Sequence, residues 1–500
     1  PGLEQHPTKT EVYCPDPTVN LDFLPAYVKG SPSHKDERLR RLRGLKVVGA
    51  YVGEDEWASG MLETRFAKAY PNLDMLALLE DTDKHSNSMQ IQFCMLRWCA
   101  NTAPNYWLRT MPPAATARAA AAHDAAVARA AEKIIDFDAT SERGLLAIDQ
   151  MRLPTRMGGL GLTSAGDIAG CAWVGSLAMC MHPLRRLVPG LADVDPMSSG
   201  LASLVALRKH HEGLIAERGR LGATQATWDE TTMGVDLLGD PLFRYHPDDL
   251  PEAAALPLLH DFTDPHAATL EKAQRSFSQI RHHARWHKLH ATFLEQPGRR
   301  ESCRFISVSQ PYAGSLFNIV PSRKQFARAT DVMRAATQRR LGLELTCLRG
   351  LGFASTIGDG SRQVDELGDL FQNYHNHSRR HNRTAELWAQ AIRQATGKKV
   401  HIDHIEHESY SKGARPDVFV LRGASDGMRH LILELKVITP ISCADGGTGE
   451  EGTYAGFGNS VAEETSNILG APAIGGRAAV TAKYSDALRR GHTVLPIVHE

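Results

Sequence analysis

The segment Pro416–Thr439 reads P-D-V-F-V-L-R-G-A-S-D-G-M-R-H-L-I-L-E-L-K-V-I-T and predicts a β-hairpin. Two apolar runs, Val418–Leu421 and Leu431–Ile438, flank a turn that contains two glycines. Asp417 and Glu434 are equidistant from the centre of this turn. A regular hairpin therefore places the two carboxylates opposite each other, with Cβ atoms about 4.5–5.5 Å apart.

A cation and a divalent metal fit beside these carboxylates. Lys436 follows Glu434 by two residues, and the strand period of two puts it on the same face. Two neighbouring carboxylates repel each other unless a cation lies between them, and hard oxygen ligands suit Mg²⁺ or Mn²⁺. Such an ion produces hydroxide from water and neutralises a phosphodiester, while a lysine orients the water or stabilises the developing charge.

A surface Glu–Lys pair on an edge hairpin is the alternative interpretation of Glu434 and Lys436. Apolar residues occupy both faces of the second run, Leu431–Ile438, which is typical of a strand buried on both sides. An unpaired charge is costly in such a strand. The apolar setting therefore favours a functional cluster.

The order Pro416-Asp417, then Glu434-Leu435-Lys436, resembles the motif of the PD-(D/E)XK, or restriction-like, nuclease superfamily. The flanking sequence is similar to the C-terminal endonuclease of non-LTR retrotransposon polyproteins, which carries an R-H-N helix before the core and a K-Y helix and a V-x-P-x-V strand after it. The resemblance implies a C-terminal α/β domain with a mixed sheet over residues 382–500. It also implies metal-dependent nicking of target DNA, whose released 3′ hydroxyl primes reverse transcription.

The resemblance assigns a role to each matching residue. Asp417 and Glu434 would bind the metal with help from the Leu435 carbonyl, and Lys436 would act on the attacking water or the phosphate. Lys483 and Tyr484 would help to shape the catalytic site. Four further residues are expected to contact nucleic acid near this site: Arg379, Arg380, His381 and Arg415.

Residues 346–381 depart from the family pattern. Relatives commonly carry a Cys-Cys-His-Cys zinc knuckle here. Cys347 remains, but the expected second cysteine and histidine are missing, and Tyr374 stands where another cysteine would be sought. A rearranged zinc site that uses Cys347, His375 and His381 stays open, beside a metal-free segment, which the missing ligands favour.

Residues 1–55 resemble the end of a reverse-transcriptase palm. The resemblance rests on His6–Val12 and on the primer-grip-like segment Gly44–Gly53, which also predicts a short strand pair bracketed by glycine. The aspartate pair that binds the polymerase metals is expected upstream of Pro1, so the chain is interpreted as a fragment without polymerase activity of its own. Element RNA is an expected partner of the palm and the thumb.

Residues 56–185 predict helices and resemble a polymerase thumb. The resemblance rests on Tyr106–Pro113 and on L-P-T-R-M-G-G-L-G-L, Leu153–Leu162, which predicts a glycine turn between helices. In a thumb, Arg109 and Arg156 would contact backbone phosphates, and pairing within the helical core is the equal alternative. The cysteines and tryptophans of this part are predicted to be core residues: Cys94, Trp98, Cys99 and Trp173.

Residues 186–345 predict a helical connector that leads to the C-terminal domain. In that domain an apolar helical stripe is predicted before the hairpin, at Leu387, Trp388, Ala391, Ile392 and Ala395. The predicted fold class is thus multidomain, mainly α in the N-terminal two-thirds and α/β at the C-terminus.

Composition sets further bounds. The 500 residues suggest two to four domains, and 42% hydrophobic and 23% charged residues are ordinary for a soluble globular protein. The net charge is zero, so nucleic-acid binding depends on local patches. Eight cysteines without a disulfide spacing indicate a reducing compartment. Neither a signal peptide nor a membrane span is predicted, no small-molecule cofactor is expected, and a DNA target implies the nucleus.

Two alternatives to a retrotransposon endonuclease stay open. One is an inactive remnant of a mobile element that still binds nucleic acid, which the missing zinc ligands favour. The other is a stand-alone PD-(D/E)XK repair nuclease, which the palm-like opening disfavours.

Overall fold

The computed structural model describes most of the helical part of the chain and selected elements of the C-terminal part. The described residues are 10–16, 18–79, 87–229, 251, 256–264, 270, 272–296, 300–309, 313–322, 327–349, 356–357, 362–363, 377–396, 400–402, 418–420, 431–437 and 493–499. They divide into two compact units. Unit 1 comprises Pro1–Ala226, Asp248–Leu289 and Pro311–Leu341, and unit 2 comprises Thr227–Pro247, His290–Gln310 and Gly342–Glu500.

The described part of the chain is mainly helical, as predicted for the N-terminal two-thirds. The helices are α1 (Asp55–Ala67), α2 (Tyr70–Ala77), α3 (Ser88–Met95), α4 (Asn105–Thr110), α5 (Pro113–Ile135), α6 (Glu142–Met151), α7 (Ala165–Leu187), α8 (Ala202–Asp229), α9 (Ala273–Glu295), α10 (Arg300–Val308), α11 (Thr330–Arg340) and α12 (His377–Thr396). None of the helices in the described ranges is both long enough and apolar enough to cross a membrane.

Unit 1 begins with the strand pair predicted from Gly44–Gly53. Strands β1 (Gly44–Val47) and β2 (Ala50–Gly53) are antiparallel, and Gly49 between them has a φ of +94°, which glycine adopts without steric cost. The hairpin packs on α1 and α5 through one apolar cluster: Ala50, Tyr51, Ala58, Leu62, Phe66, Met111, Ala115 and Ala119.

Helix α5 is the alanine-rich helix that the sequence predicts, and it runs through the middle of unit 1. Its alanines favour helix and permit close approach of neighbouring helices, so α1, α2 and α7 all pack against it. Asp124 on α5 also accepts hydrogen bonds from the first residues of α7, at 2.7 Å from the Ala165 amide and 3.1 Å from the Gly166 amide. A carboxylate in this place offsets the partial positive charge of the helix N-terminus.

A second apolar core joins α7, α8 and α9 within unit 1. Its largest side chains, Phe262 and Phe277, are fully buried, and His211 lies edge-on against both rings. The predicted domain boundary at residue 185 falls inside α7, and the rest of the five-part division by sequence stays a prediction.

Unit 2 contains two small sheets. Strands β3 (Thr356–Ile357) and β4 (Arg362–Gln363) form an antiparallel pair. Strands β5 (Val400–Ile402), β6 (Val418–Val420), β7 (Leu431–Val437) and β8 (Thr493–His499) form a four-stranded sheet in the order β5-β6-β7-β8. The first three are antiparallel and β8 is parallel to β7, so the described sheet is mixed.

Helix α12 packs against this sheet, but the predicted apolar stripe is not its buried face. Ala385 and Ala389 are buried, at 2% and 0% exposure, whereas Leu387 is 52% exposed. Trp388 is 37% exposed. Ile392 of the stripe is partly buried, so the described residues correct the prediction for Leu387 and Trp388.

Candidate functional site

The two strands of the predicted hairpin pair with each other in antiparallel fashion, and their register is the predicted one. Val418 pairs with Leu433, Phe419 with Ile432 and Val420 with Leu431. Each pair is symmetric about the point between Ser425 and Asp426, which is the centre deduced from the sequence.

The register fixes where Glu434 and Lys436 lie along β7. Glu434 is the residue after Leu433, and it pairs with Pro496 of β8, while Lys436 pairs with Val498. Successive residues of a strand alternate between faces, so positions 434 and 436 share one face of the sheet. The strand that carries them has a neighbour on each side, β6 and β8. It is therefore a central strand.

Three of the residues predicted to contact nucleic acid belong to helix α12, which precedes the first strand of the sheet. Arg379, Arg380 and His381 lie in its first turns. The other end of the helix is fastened to the sheet, because the Arg393 guanidinium donates to the Val400 carbonyl of β5 at 3.0 Å. The basic residues therefore lie on a helix that packs against the sheet.

Several predicted site residues lie outside the described residues: Asp417, Arg415, Lys483, Tyr484 and His375. Leu435 is within β7. Cys347 is exposed, in a short 3₁₀ turn. Across the described ranges no group of three or more His, Cys, Asp or Glu side chains is arranged to hold a metal ion. The magnesium site and the rearranged zinc site both stay predictions.

In unit 1, Arg109 is exposed and its guanidinium donates to the Gln274 amide oxygen at 2.8 Å. Its partner is a neutral side chain from α9, so this hydrogen bond does not neutralise the positive charge of Arg109. Arg109 accordingly has a pairing within the helical unit and an exposed cationic group, and both of its sequence-based interpretations stay open.

The loop that carries Arg156 is held from inside by two buried side chains. Arg340, 4% exposed, donates to the carbonyls of Gly159 and Ala313, each at 3.0 Å, and to the Thr155 carbonyl. Gln150 donates to the Gly158 carbonyl at 2.8 Å. These bonds fasten the loop in one conformation, and Arg156 lies on its exposed side.

Arg156 is near a charged cluster that joins three helices. Arg285 of α9 donates to Asp149 of α6 at 2.5 Å and also bonds to Asp167 of α7. Both ring nitrogens of His282 are buried and have no hydrogen-bond partner among the described residues. Burial and then the nearby Arg156 lower the pKa of His282 to about 4, with Arg285 acting in the same direction and Asp167 opposing.

Acidification should therefore destabilise unit 1. Because the pKa of folded His282 is below its ordinary value of 6.5, the unfolded chain binds a proton that the folded chain excludes as the pH falls from 6.5 to about 4. Stability is full above this window and decreases through it, by up to about 3 kcal/mol for this one group. Burial also lowers the pKa of His123 and of His211.

Urea unfolding of the full chain between about pH 7.5 and about pH 4.5 tests this expectation. His282→Gln should reduce the acid sensitivity, whereas His260→Gln, which changes an exposed histidine, should leave it as in the unchanged chain. Equal acid sensitivity of both variants would contradict the role given to His282.

Sequence reasoning missed one exposed cation–aromatic pair. Trp98 and Cys99 are exposed rather than core residues, which corrects the prediction for both, whereas Cys94 and Trp173 are buried as predicted. The guanidinium of Arg97 lies over the Trp98 ring, 5.7 Å from its centroid. The helical periodicity of the sequence could not predict that Trp98 and Cys99 are exposed, because the turn that contains them is not a regular α-helix.

Comparisons with known proteins do not assign the chain to a family. A scan against protein-family models matched no family, and searches of curated proteins and of solved structures found no match.

Proposed function

We propose that residues 382–500 are a metal-dependent DNA endonuclease of the restriction-like class, within a fragment of a non-LTR retrotransposon polyprotein. The observation that carries the proposal is the β6–β7 register. If this pairing continues by one residue beyond the described strand, Asp417 is opposite Glu434, and Lys436 follows Glu434 by two residues along β7. Residue types that hold a metal and act on a phosphate would then lie together beside a central strand.

The wider arrangement agrees with the proposal. A helix with a basic first turn packs against a mixed four-stranded sheet, and Glu434 lies on the central strand β7, next to the strand that begins one residue after Asp417. Arginines on such a helix provide charge-assisted hydrogen bonds to backbone phosphates. DNA can then be held beside the strands that carry the acidic residues.

In the proposed reaction, Asp417, Glu434 and the Leu435 carbonyl are the ligands of Mg²⁺ or Mn²⁺. The bound ion would lower the pKa of a water molecule and neutralise phosphate charge. Lys436 orients the attacking water or stabilises the charge that develops on the phosphate, while Arg379 and Arg380 hold the DNA backbone. The nick leaves a 3′ hydroxyl that can prime reverse transcription, and the helical unit would bind element RNA and primer.

An inactive nucleic-acid-binding remnant is the second candidate. The specific observation in its favour is the loss of the second cysteine and of the histidine of the zinc knuckle within residues 346–381. A chain that has lost one metal site can also have lost catalysis.

A plasmid-nicking assay separates the two. The full chain should convert supercoiled plasmid into the nicked form with Mg²⁺ and not with EDTA, and Asp417→Asn should remove this activity. Absence of nicking by the unchanged chain with either Mg²⁺ or Mn²⁺, or nicking that Asp417→Asn leaves intact, would refute the endonuclease.

A further inference from the structure

Arg97 lies in a π-helical turn, Leu96–Ala100, that directly follows α3. The Asn101 amide donates to the Leu96 carbonyl at 2.8 Å, a bond that spans five residues instead of four. Wide turns of this type are uncommon and recur at functional sites. This one brings an arginine and an adjacent tryptophan, Trp98, to the surface of unit 1.

One side of the Arg97 guanidinium is fixed by neutral groups. Its Nη1 donates to the Phe317 carbonyl and to the Asn318 side-chain oxygen, both at 2.9 Å. The same Asn318 oxygen accepts a hydrogen bond from the Thr155 hydroxyl at 3.3 Å. The guanidinium is thus oriented by Phe317 and Asn318, and Asn318 is itself held by Thr155.

The opposite side of the guanidinium has no partner. Within the described ranges, Nε and Nη2 of Arg97 have no hydrogen-bond acceptor, and no carboxylate forms an ion pair with the residue. The side chain is half-buried, and burial lowers the pKa of Arg97, with only the neighbouring Cys94 opposing. Among the described residues this partly desolvated cation is faced by neutral groups, two oxygens and the Trp98 ring, so a ligand that supplies negative charge would stabilise it further.

Gly161 lies beside this edge and carries no side chain that would cover it. Its φ is +75°, and a Cβ added there would lie 2.6 Å from Nε and 3.0 Å from Nη2 of Arg97. A larger residue would therefore push the guanidinium out of place. The loop that contains Gly161 also presents Arg156, an exposed second cation.

We propose that the Nε–Nη2 edge of Arg97 binds a phosphate of a nucleic-acid backbone. Two parallel N–H groups match two phosphate oxygens in a bidentate pair. Trp98, which is 41% exposed, offers an aromatic face to a base of the same strand. The inference rests on the proposed function only in taking nucleic acid as the ligand.

Fluorescence anisotropy with a labelled single-stranded oligonucleotide tests the contact, with EDTA present so that cleavage plays no part. Arg97→Gln should weaken binding about tenfold at low salt. It should also reduce the slope of log K against log salt by about 0.7, the contribution of one phosphate on a single strand. Arg129→Gln, which removes an exposed arginine from α5 of the same unit, should change neither quantity appreciably.

Protection from chemical modification provides a second measurement that needs no variant to fold. Phenylglyoxal should modify Arg97 in the free chain, and the oligonucleotide should protect it, whereas Arg129 should react equally in both samples. Inorganic phosphate at the same phosphate concentration should protect Arg97 less than the oligonucleotide.

Three outcomes would overturn the proposal: an unchanged salt slope in Arg97→Gln, no protection of Arg97 by the oligonucleotide, or equal protection by inorganic phosphate. None of them bears on nicking, which is measured separately with Mg²⁺ and Asp417→Asn. Conversely, a chain that does not nick DNA can still lose oligonucleotide binding in Arg97→Gln. The two proposals can therefore fail independently, and the experiments distinguish these failures.

Discussion

Replacing Glu434 by glutamine is expected to reduce metal-dependent plasmid nicking by about 10²- to 10³-fold, the usual consequence of removing one group that stabilises charge in a transition state. Glutamine keeps the size of the side chain and removes its negative charge, which is what holds a hard divalent ion. The sheet should remain intact, because the register is set by backbone pairing along β6, β7 and β8. The measurement is the initial rate of nicking over a range of Mg²⁺ concentrations.

A matched control is available in the same hairpin. In the sequence Asp426 stands midway between β6 and β7, eight residues before Glu434, and it has no role in the proposed metal site. Asp426→Asn should nick within about twofold of the unchanged chain, since substitutions away from a site usually have small effects. Equal loss in both variants would indicate a damaged fold, and activity retained in Glu434→Gln would exclude this residue as a metal ligand.

The largest expected effect on stability is that of Arg340→Ala in unit 1. The buried guanidinium donates to three backbone carbonyls and lies over the Phe317 ring, 5.1 Å from its centroid. Truncation would leave these carbonyls without their donor and open a cavity beneath the loop. Leaving a buried carbonyl without its donor commonly costs about 1–3 kcal/mol, and three carbonyls are affected here.

Hydrogen exchange measured by mass spectrometry reports this loss where it occurs. Peptides covering residues 150–162 should exchange much faster in Arg340→Ala, and the thermal transition of the chain should shift downward. Arg109→Ala is the control, because that arginine is exposed and its guanidinium donates to the Gln274 side-chain oxygen at 2.8 Å. Unchanged exchange across residues 150–162 in Arg340→Ala would show that the loop is stable without the guanidinium.

Local sequence was sufficient for the hairpins and for most helices. The glycine between β1 and β2, the alanines of α5 and the alternation within β7 each act on neighbouring residues, so their effects can be deduced without knowing the fold. The expected opposition of positions 417 and 434, one residue beyond the described pairing, rests on the same kind of reasoning. It follows from the symmetry of a turn and needs only the pairing of two adjacent strands.

Apolar spacing did not identify the buried face of α12, because either of two helix faces could have packed inward. The predicted stripe contained Leu387 and Trp388, yet both are exposed, whereas Ala385 and Ala389 of the same helix are buried. Spacing ranks the faces of a helix by hydrophobicity, whereas the observed rotation also depends on how closely the helix can approach what it packs against. Small residues permit the closest approach, and this is a property of the packed pair rather than of the helix alone.

The sequence by itself therefore determined the secondary structure around the candidate nuclease site and the order of its acidic and basic residues. Only the tertiary structure decided which arginines are bound by backbone carbonyls of distant segments. Arg97 meets Phe317 and Asn318 across more than two hundred residues of chain, and Arg340 meets the loop at Thr155 and Gly159 from a similar distance along the sequence. Such contacts have no local signature, because they depend on where distant helices come together.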